Sequence, residues 1–507
     1  MTPVDPRHIP RLTTGVPGLD LLLEGGLPRG GVFLVQGVPG AGKTVMANQM
    51  CFHHARKGEK AVFLTLIAES HVRMFAHLRR FDFFDEDEIG RGVHYHAGFG
   101  VLAEKGLDGL AELTRDAVLQ SGATLFVVDG MLTAGALAPS ETEFKLLLHS
   151  MQTIAVSLGC TIILLSSARE GERARPEHTM VDGVIELASQ LNGLRARRHL
   201  EVLKMRGVAP VTGCHSVEIS DVGILVRPRL ESRTRPVDEG AGPGAEPGLS
   251  MARVPFGIAT LDAMIRGGLP VGSNTMLAGP TGAGKTILGL QYIAGGVATG
   301  ESGLYVGFYE RPSVIVAKSN RIGLRMEEGM KAGLVDVVWE RPIEGVLDAV
   351  ADRLLERIAK TGAKRLCLDG LTALKRTVDR PDRINDATAA LSEELERLKV
   401  TTVFTLETPE LFGPTFRLPI EDVSAVTQNM ILMRHVEVDA RLHRLISIVK
   451  MRDSGYDSRI CEFKITENGI ALADTFASAE ALLSGSAVTS GRARRPKPSP
   501  TRKARKR

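Results

Sequence analysis

Two stretches decide how this chain is read: Gly37-Val38-Pro39-Gly40-Ala41-Gly42-Lys43-Thr44 and Gly279-Pro280-Thr281-Gly282-Ala283-Gly284-Lys285-Thr286. Each follows a short apolar run, Val32 to Val35 and Asn274 to Leu277, and the first leads into Thr44 to Arg56, whose apolar residues have helical spacing. In that setting G-x-x-x-x-G-K-[ST] is a phosphate-binding loop. The glycines let successive backbone N–H groups turn inward on a triphosphate, and the helix N-terminus adds positive potential. The pattern assigns Gly37, Gly40, Gly42, Lys43 and Thr44, and Gly279, Gly282, Gly284, Lys285 and Thr286, to nucleotide binding. Lys43 and Lys285 reach the β- and γ-phosphates, and Thr44 and Thr286 are Mg²⁺ ligands.

The two loops lie 242 residues apart, and so do their surroundings: Thr14 to Asp20 is echoed by Phe256 to Asp262, and Gly25-Gly26-Leu27-Pro28 by Gly267-Gly268-Leu269-Pro270. The chain is therefore an internal repeat. Between the copies, Arg227 to Arg253 is rich in Pro, Gly and charge and has no periodic apolar face, which predicts a linker. The expected organisation is one domain over 10–226, a linker over 227–252, a second domain over 253–475 and a disordered basic tail over 484–507. A length of 507 residues had left two or three domains open.

Within each copy apolar strands alternate with helical stretches. Ala61 to Leu66, Leu125 to Asp129 and Thr161 to Leu165 read as buried strands in the first, and Gly303 to Phe308, Arg365 to Asp369 and Thr401 to Leu406 in the second. Glu143 to Leu158 reads as a helix. This pattern predicts an α/β fold, a mostly parallel sheet covered by helices on both faces. Asp129 and Asp369 end their strands, where the sheet edge faces the phosphates, and are assigned as the acids beside Mg²⁺.

Charged residues make up 24% of the chain and hydrophobic residues 43%, which excludes wholesale disorder. Nine of the cations behind the net charge of +4 lie between Gly491 and Arg507, so the rest carries −5. A net acidic body with no basic, aromatic-interleaved loop argues against a nucleic-acid channel and leaves nucleic acid to the tail. The amino terminus has no signal-peptide pattern, and no run of about 18 apolar residues occurs, so a cytoplasmic protein with no membrane association is expected. Cys51, Cys160, Cys214, Cys367 and Cys461 have neither disulfide-framework nor zinc spacing and are expected to be small buried residues. His53, His54, His94 and His96 lack a ligand partner at metal spacing and are expected to be ordinary surface or helix histidines.

With the loops, the acid-ending strands, the opening TGVPGLDLLLEGGLPRG and the late Lys204-Met205-Arg206-Gly207 and Lys450-Met451-Arg452-Asp453 segments in hand, the chain resembles the KaiC family over about residues 10–475. The resemblance implies two tandem RecA-like domains, homohexameric double rings, ATP with Mg²⁺ held between neighbouring subunits, ATP hydrolysis and, in some members, Ser/Thr autokinase activity. It implies signalling partners such as a KaiB-like protein, a histidine kinase or a response regulator. By the same resemblance Lys204, Arg206, Lys450 and Arg452 reach a neighbour's phosphates. Two cations two residues apart on one strand face can converge on a single anion.

The chain departs from that family where the attacking group is activated. A paired-glutamate run is usual after the second strand; here the copies read Thr65-Leu66-Ile67-Ala68-Glu69-Ser70 and Gly307-Phe308-Tyr309-Glu310-Arg311-Pro312. Glu69 and Glu310 are the remaining catalytic acids, and the leading positions hold Ala68 and Tyr309. Positioned acid–base help contributes roughly 10²–10⁴-fold, so either these two acids substitute or turnover is slow, which suits a switch rather than a motor. Ser424 matches one family phosphoacceptor, while Ala425 beside it cannot carry phosphate. Ser166 and Thr405, polar residues in apolar fourth strands, are expected to sense the γ-phosphate or to bond within the sheet. A slow signalling ATPase is the leading reading; a DNA-associated recombinase- or helicase-like ring and a non-hydrolysing ATP-binding scaffold are the alternatives.

Overall fold

A computed structural model describes residues 10–67, 71–167, 176–192, 194–233, 252–341, 346–378, 383–410, 427–438, 440–452 and 454–473. The chain divides into two compact units, Met1–Arg233 and Thr234–Arg507.

In the first unit the sheet comprises β1 (Val32–Gly37), β2 (Ala61–Thr65), β3 (Val93–Ala97), β4 (Leu125–Asp129), β5 (Thr161–Ser167), β6 (Gly183–Asn192), β7 (Arg195–Met205), β8 (His215–Ser220) and β9 (Gly223–Arg227). Their spatial order is β9-β8-β7-β6-β1-β5-β4-β2-β3. The run from β6 to β3 is parallel, and β7, β8 and β9 are added antiparallel. The parallel strands are apolar on both faces because both faces are covered. Phe33, Val35, Phe63, Val127 and Ile163 enter one buried cluster, and their neighbours Leu34, Val62, Phe126, Val128 and Ile162 enter the other.

Helices α1 (Lys43–Arg56), α2 (His71–Leu78), α3 (Phe99–Ser121) and α4 (Glu141–Leu158) follow β1, β2, β3 and β4. The start of α4 lies two residues before the expected one because Ser140 caps it, its hydroxyl accepting from the Glu143 amide at 3.1 Å. Phe144, Leu147, Leu148, Met151, Ile154 and Ala155 form the buried face of α4, and Gly159 closes it in the left-handed conformation.

The second unit repeats this plan with β10 (Asn274–Gly279), β11 (Gly303–Gly307), β12 (Val335–Trp339), β13 (Arg365–Asp369), β14 (Thr401–Glu407), β15 (Asn429–Val438), β16 (Arg441–Met451), β17 (Cys461–Thr466) and β18 (Gly469–Leu472). Its strand order, β18-β17-β16-β15-β10-β14-β13-β11-β12, is that of the first unit. Helices α5 (Lys285–Val297), α6 (Pro312–Arg321), α7 (Leu347–Thr361) and α8 (Arg383–Arg397) occupy the corresponding connections.

The ordered chain of the first unit continues past the expected start of the linker at 227. Leu230 is buried in a short 3₁₀ turn, Leu230–Ser232, and the Arg229 amide donates to His215 Nδ1 at 3.1 Å, anchoring the segment on β8. Arg253–Val254 pairs with Leu269–Pro270, as Arg11–Leu12 pairs with Leu27–Pro28. The proposed tail, 484–507, lies outside the described residues. No described helix is long and apolar enough to cross a membrane. Cys51, Cys160, Cys367 and Cys461 are buried as expected, whereas Cys214 is exposed.

Candidate functional site

The loop Gly37–Thr44 leaves the carboxyl end of β1, the central strand, and turns into α1. Gly37 lies against β6 so closely that a Cβ there would stand 1.9 Å from the Leu187 carbonyl oxygen, and Gly42, the N-cap of α1, holds φ +110°. Both positions therefore require glycine. The Lys43 ammonium donates to the carbonyls of Gly37 at 2.7 Å and Val38 at 3.0 Å, and Lys285 donates to those of Gly279 at 2.8 Å and Pro280 at 2.7 Å. Each lysine thus lies over its own loop. Burial pushes both ammonium groups below their ordinary range; Asp129 opposes this at Lys43, and Glu407, then Asp369, at Lys285.

The strand-ending acids meet the first helical turn. Thr44 donates to Asp129 Oδ2 at 3.0 Å and Thr286 to Asp369 Oδ2 at 2.8 Å, contacts that span 85 and 83 residues of sequence. A hydroxyl and a carboxylate beside a loop of inward-facing amides are hard oxygen donors next to a phosphate cradle, a set that fits Mg²⁺ carried by a nucleotide.

In the second unit a cleft of about 790 Å³ opens over this loop, lined by Lys285, Thr286, Tyr309, Glu310, Arg376 and Glu407 among others. That is the size range of small-ligand sites. Glu310 lies in the cleft as an ion pair, its two carboxylate oxygens 2.6 and 2.7 Å from Lys318 Nζ on α6. Glu69 and Ser424 lie outside the described residues.

Lys204 and Arg206 are not near their own loop. Lys204 pairs with Val184, whereas Leu187 of the same strand pairs with Gly37, so three residues, about 10 Å of strand, separate the two levels. β7 ends at Met205, yet both cations turn onto the segment before β6 and converge on the Thr179 carbonyl, each at 3.3 Å. Lys204 also donates to Val181 O at 2.7 Å, and Lys450 donates to Thr427 O at 2.9 Å. Arg452 directly follows β16.

Ser166 and Thr405 are not counterparts. Asp129 pairs with Leu165 and Asp369 with Thr405, so Ser166 is one residue further along and on the opposite face. Thr405 donates to Asp369 Oδ1 at 2.5 Å and accepts from the Gly370 amide at 2.8 Å. His54 is a helix histidine of α1 rather than a surface one, buried at 1% exposure between Glu59 and the Thr13 carbonyl.

Sequence reasoning passed over several residues in or beside the cleft. Tyr305 reads as one more apolar strand residue, yet its hydroxyl donates to Asp369 Oδ2 at 2.6 Å. Glu407 ends β14 opposite Gly279, and a strand-ending acid next to the loop strand was a signal available in the sequence. His435 and Arg444 contact the carbonyls of Thr281 and Gly282 at 3.3 and 3.2 Å, contacts that depend on the β15–β16 hairpin folding alongside the loop.

A family model described as "ATPase: KaiC" matches residues 12–231 and again 254–475. The chain is 26% identical over 495 residues to the circadian clock oscillator protein KaiC of Picosynechococcus sp., covering 95% of this chain and 93% of that protein. It is 27% identical over 494 residues to the circadian clock protein KaiC3 of Synechocystis sp., covering 94% of each. A circadian clock oscillator protein KaiC from Thermosynechococcus vestitus is 26% identical over 494 residues, covering 94% of this chain and 92% of the relative.

Proposed function

The chain belongs to the KaiC family of ATPases, and on that premise we propose that it binds Mg-ATP at both loops, hydrolyses it slowly and uses the nucleotide state as a signalling switch. The observation that carries this reading is the recurrence, in both units, of one constellation: a loop lysine over its own carbonyls and a helix-start threonine on a strand-ending acid.

In this mechanism Lys43 and Lys285 leave their loop carbonyls for the phosphates, exchanging neutral acceptors for charged ones. Thr44 with Asp129, and Thr286 with Asp369, hold the metal side of the nucleotide. Mg²⁺ held by these residues would supply positive charge to offset that of the phosphates. Glu310 accepts a proton from the attacking water or hydroxyl once Lys318 releases it, and Glu69 is proposed for the same task in the first unit. Both Glu310 oxygens are held by the Lys318 ammonium and so are withheld from the attacking group until that pair opens, which favours slow turnover.

Lys204 and Lys450 each stand three residues of strand from the level at which their own loop begins, with Arg206 and Arg452 two residues beyond them, which supports a role toward a neighbour's phosphates in a homohexameric ring. Autophosphorylation at Ser424 and docking of a KaiB-like protein, histidine kinase or response regulator complete the proposed switch. Phosphate release by wild type, Lys43→Ala, Lys285→Ala and the double variant tests the site assignment. Each single variant should lose one component and the double variant all release; unchanged release in both singles would refute it.

A further inference from the structure

Glu407 ends β14 beside the loop of the second unit. It is in register with Gly279, the first residue of that loop, and stands two residues after Thr405, so the two side chains take the same face of the strand; Thr405 is the residue that donates to Asp369 Oδ1. The Gly279 carbonyl accepts from the Lys285 ammonium at 2.8 Å, and the Thr408 amide donates to the same carbonyl at 3.0 Å, which brings the chain next to Glu407 and the loop lysine to one oxygen. Of the carboxylates that counter the effect of burial on Lys285, Glu407 is the leading one, ahead of Asp369. Its side chain is exposed and lines the cleft.

That position sets a charge balance unsuited to a bare polyanion. Among the described residues the cleft is lined by three cations, Lys285, Lys318 and Arg376, and by three carboxylates, Glu310, Asp369 and Glu407. Lys318 is engaged by both oxygens of Glu310. Lys285 and Arg376 then face Asp369 and Glu407, which leaves no net formal charge to attract a triphosphate. Charges inside a cleft act on one another more strongly than in open water, because low-dielectric walls focus the field. A nucleotide that arrives with a divalent cation carries two fewer net negative charges, and the same two carboxylates attract that cation.

We infer that Glu407 is a specificity-determining residue of the second site, a counter-ion to Lys285 that repels metal-free nucleotide and so selects ATP already complexed with a divalent cation. Before a nucleotide binds, Lys285 is balanced by Glu407. On binding, the ammonium turns to the phosphates and leaves the carboxylate facing them unless a cation stands between. The inference deepens the nucleotide-binding reading of this cleft and rests on it.

The test is a calorimetric titration of the full chain carrying Lys43→Ala, which disables the first site, with adenylyl imidodiphosphate, a non-hydrolysable ATP analogue, in Mg²⁺ and in EDTA. No turnover is needed. Binding should be tighter in Mg²⁺. Glu407→Gln should narrow the ratio of the two affinities about fivefold, the upper end for one exposed charge, chiefly by strengthening binding in EDTA. Glu407→Asp keeps the charge and should keep most of the ratio. A ratio that moves less than twofold in Glu407→Gln, binding in EDTA that weakens in that variant, or a Glu407→Asp that behaves as Glu407→Gln overturns the inference. Lys285→Ala in the same chain separates this from failure of the underlying reading: if it binds the analogue as tightly as its parent in both conditions, the cleft is not the nucleotide site, whatever Glu407 does.

Discussion

Glu310 and Lys318 hold one another inside the second unit's cleft, and the consequence for rate can be measured residue by residue. Removing the ammonium leaves the carboxylate free to accept a proton. Lys318→Met should therefore raise phosphate release at the second site several-fold in a Lys43→Ala background, and Glu310→Gln should lower it at least about tenfold. Equal rates for both variants and their parent would remove Glu310 from the chemistry. The glutamate was visible in the sequence from its place after the second strand. Lys318 was not, because it lies on a helix whose facing is set by packing rather than by the local pattern. Tyr305 was hidden for a similar reason: periodicity marks a strand position as inward-facing but does not say that an aromatic hydroxyl ends at a carboxylate.

Among the elements, the fit of the loop strand into the sheet is the tightest constraint. Gly37→Ala would drive a methyl group into the Leu187 carbonyl of β6, from which it could escape only by parting two paired strands. A loss of about 3 kcal/mol in the first unit, read as a lowered urea midpoint, is expected. A second inter-element tie is electrostatic. Glu59, just before β2, accepts from Arg29, Thr124 and His54, and the Arg29 guanidinium is the leading cause that holds its carboxyl down at about 2. A carboxyl depressed in the folded state adds stability above its unfolded value, near 4.5, and loses it as pH falls through that value toward 2. Between pH 5 and 2.5 wild type should lose more stability than Glu59→Gln, as read from urea midpoints at each pH. The repeat offset identified the strands correctly, but grouping Ser166 with Thr405 as like residues of those strands fails, because Leu165 holds the position that corresponds to Thr405. Register decides which face a residue takes, and it is set by hydrogen bonding between strands far apart in sequence.

For the whole molecule, charge is distributed by segment. Nine cations between Gly491 and Arg507 leave −5 on the remainder, so any nucleic-acid binding should belong to that end of the chain. Truncation after Ser490 should abolish salt-dependent retention of duplex DNA in a gel shift. The full chain's log–log salt slope should be no steeper than about −8, the limit for nine phosphate contacts. Binding that survives truncation would favour a DNA-associated ring over a signalling switch. Native mass spectrometry with Mg-ADP should give a hexamer carrying up to two nucleotides per chain, and a monomer under all nucleotide conditions would count against the proposed action of Lys204, Arg206, Lys450 and Arg452 on a neighbour.

The duplicated loop with its flanking strands and helices was decided by the sequence alone, because glycine spacing, strand-ending acids and apolar periodicity are local properties of the chain. So was the family, to which the matched regions 12–231 and 254–475 belong. What only the tertiary structure decided is how the two copies differ. Sheet register puts Thr405 but not Ser166 beside a strand-ending acid and buries Tyr305 against Asp369 where the first unit has Phe63, and helix packing sets Lys318 on Glu310. Those contacts join residues on separate strands and helices, and their energies exist only once the sheet has closed and water has been excluded from the groups that meet.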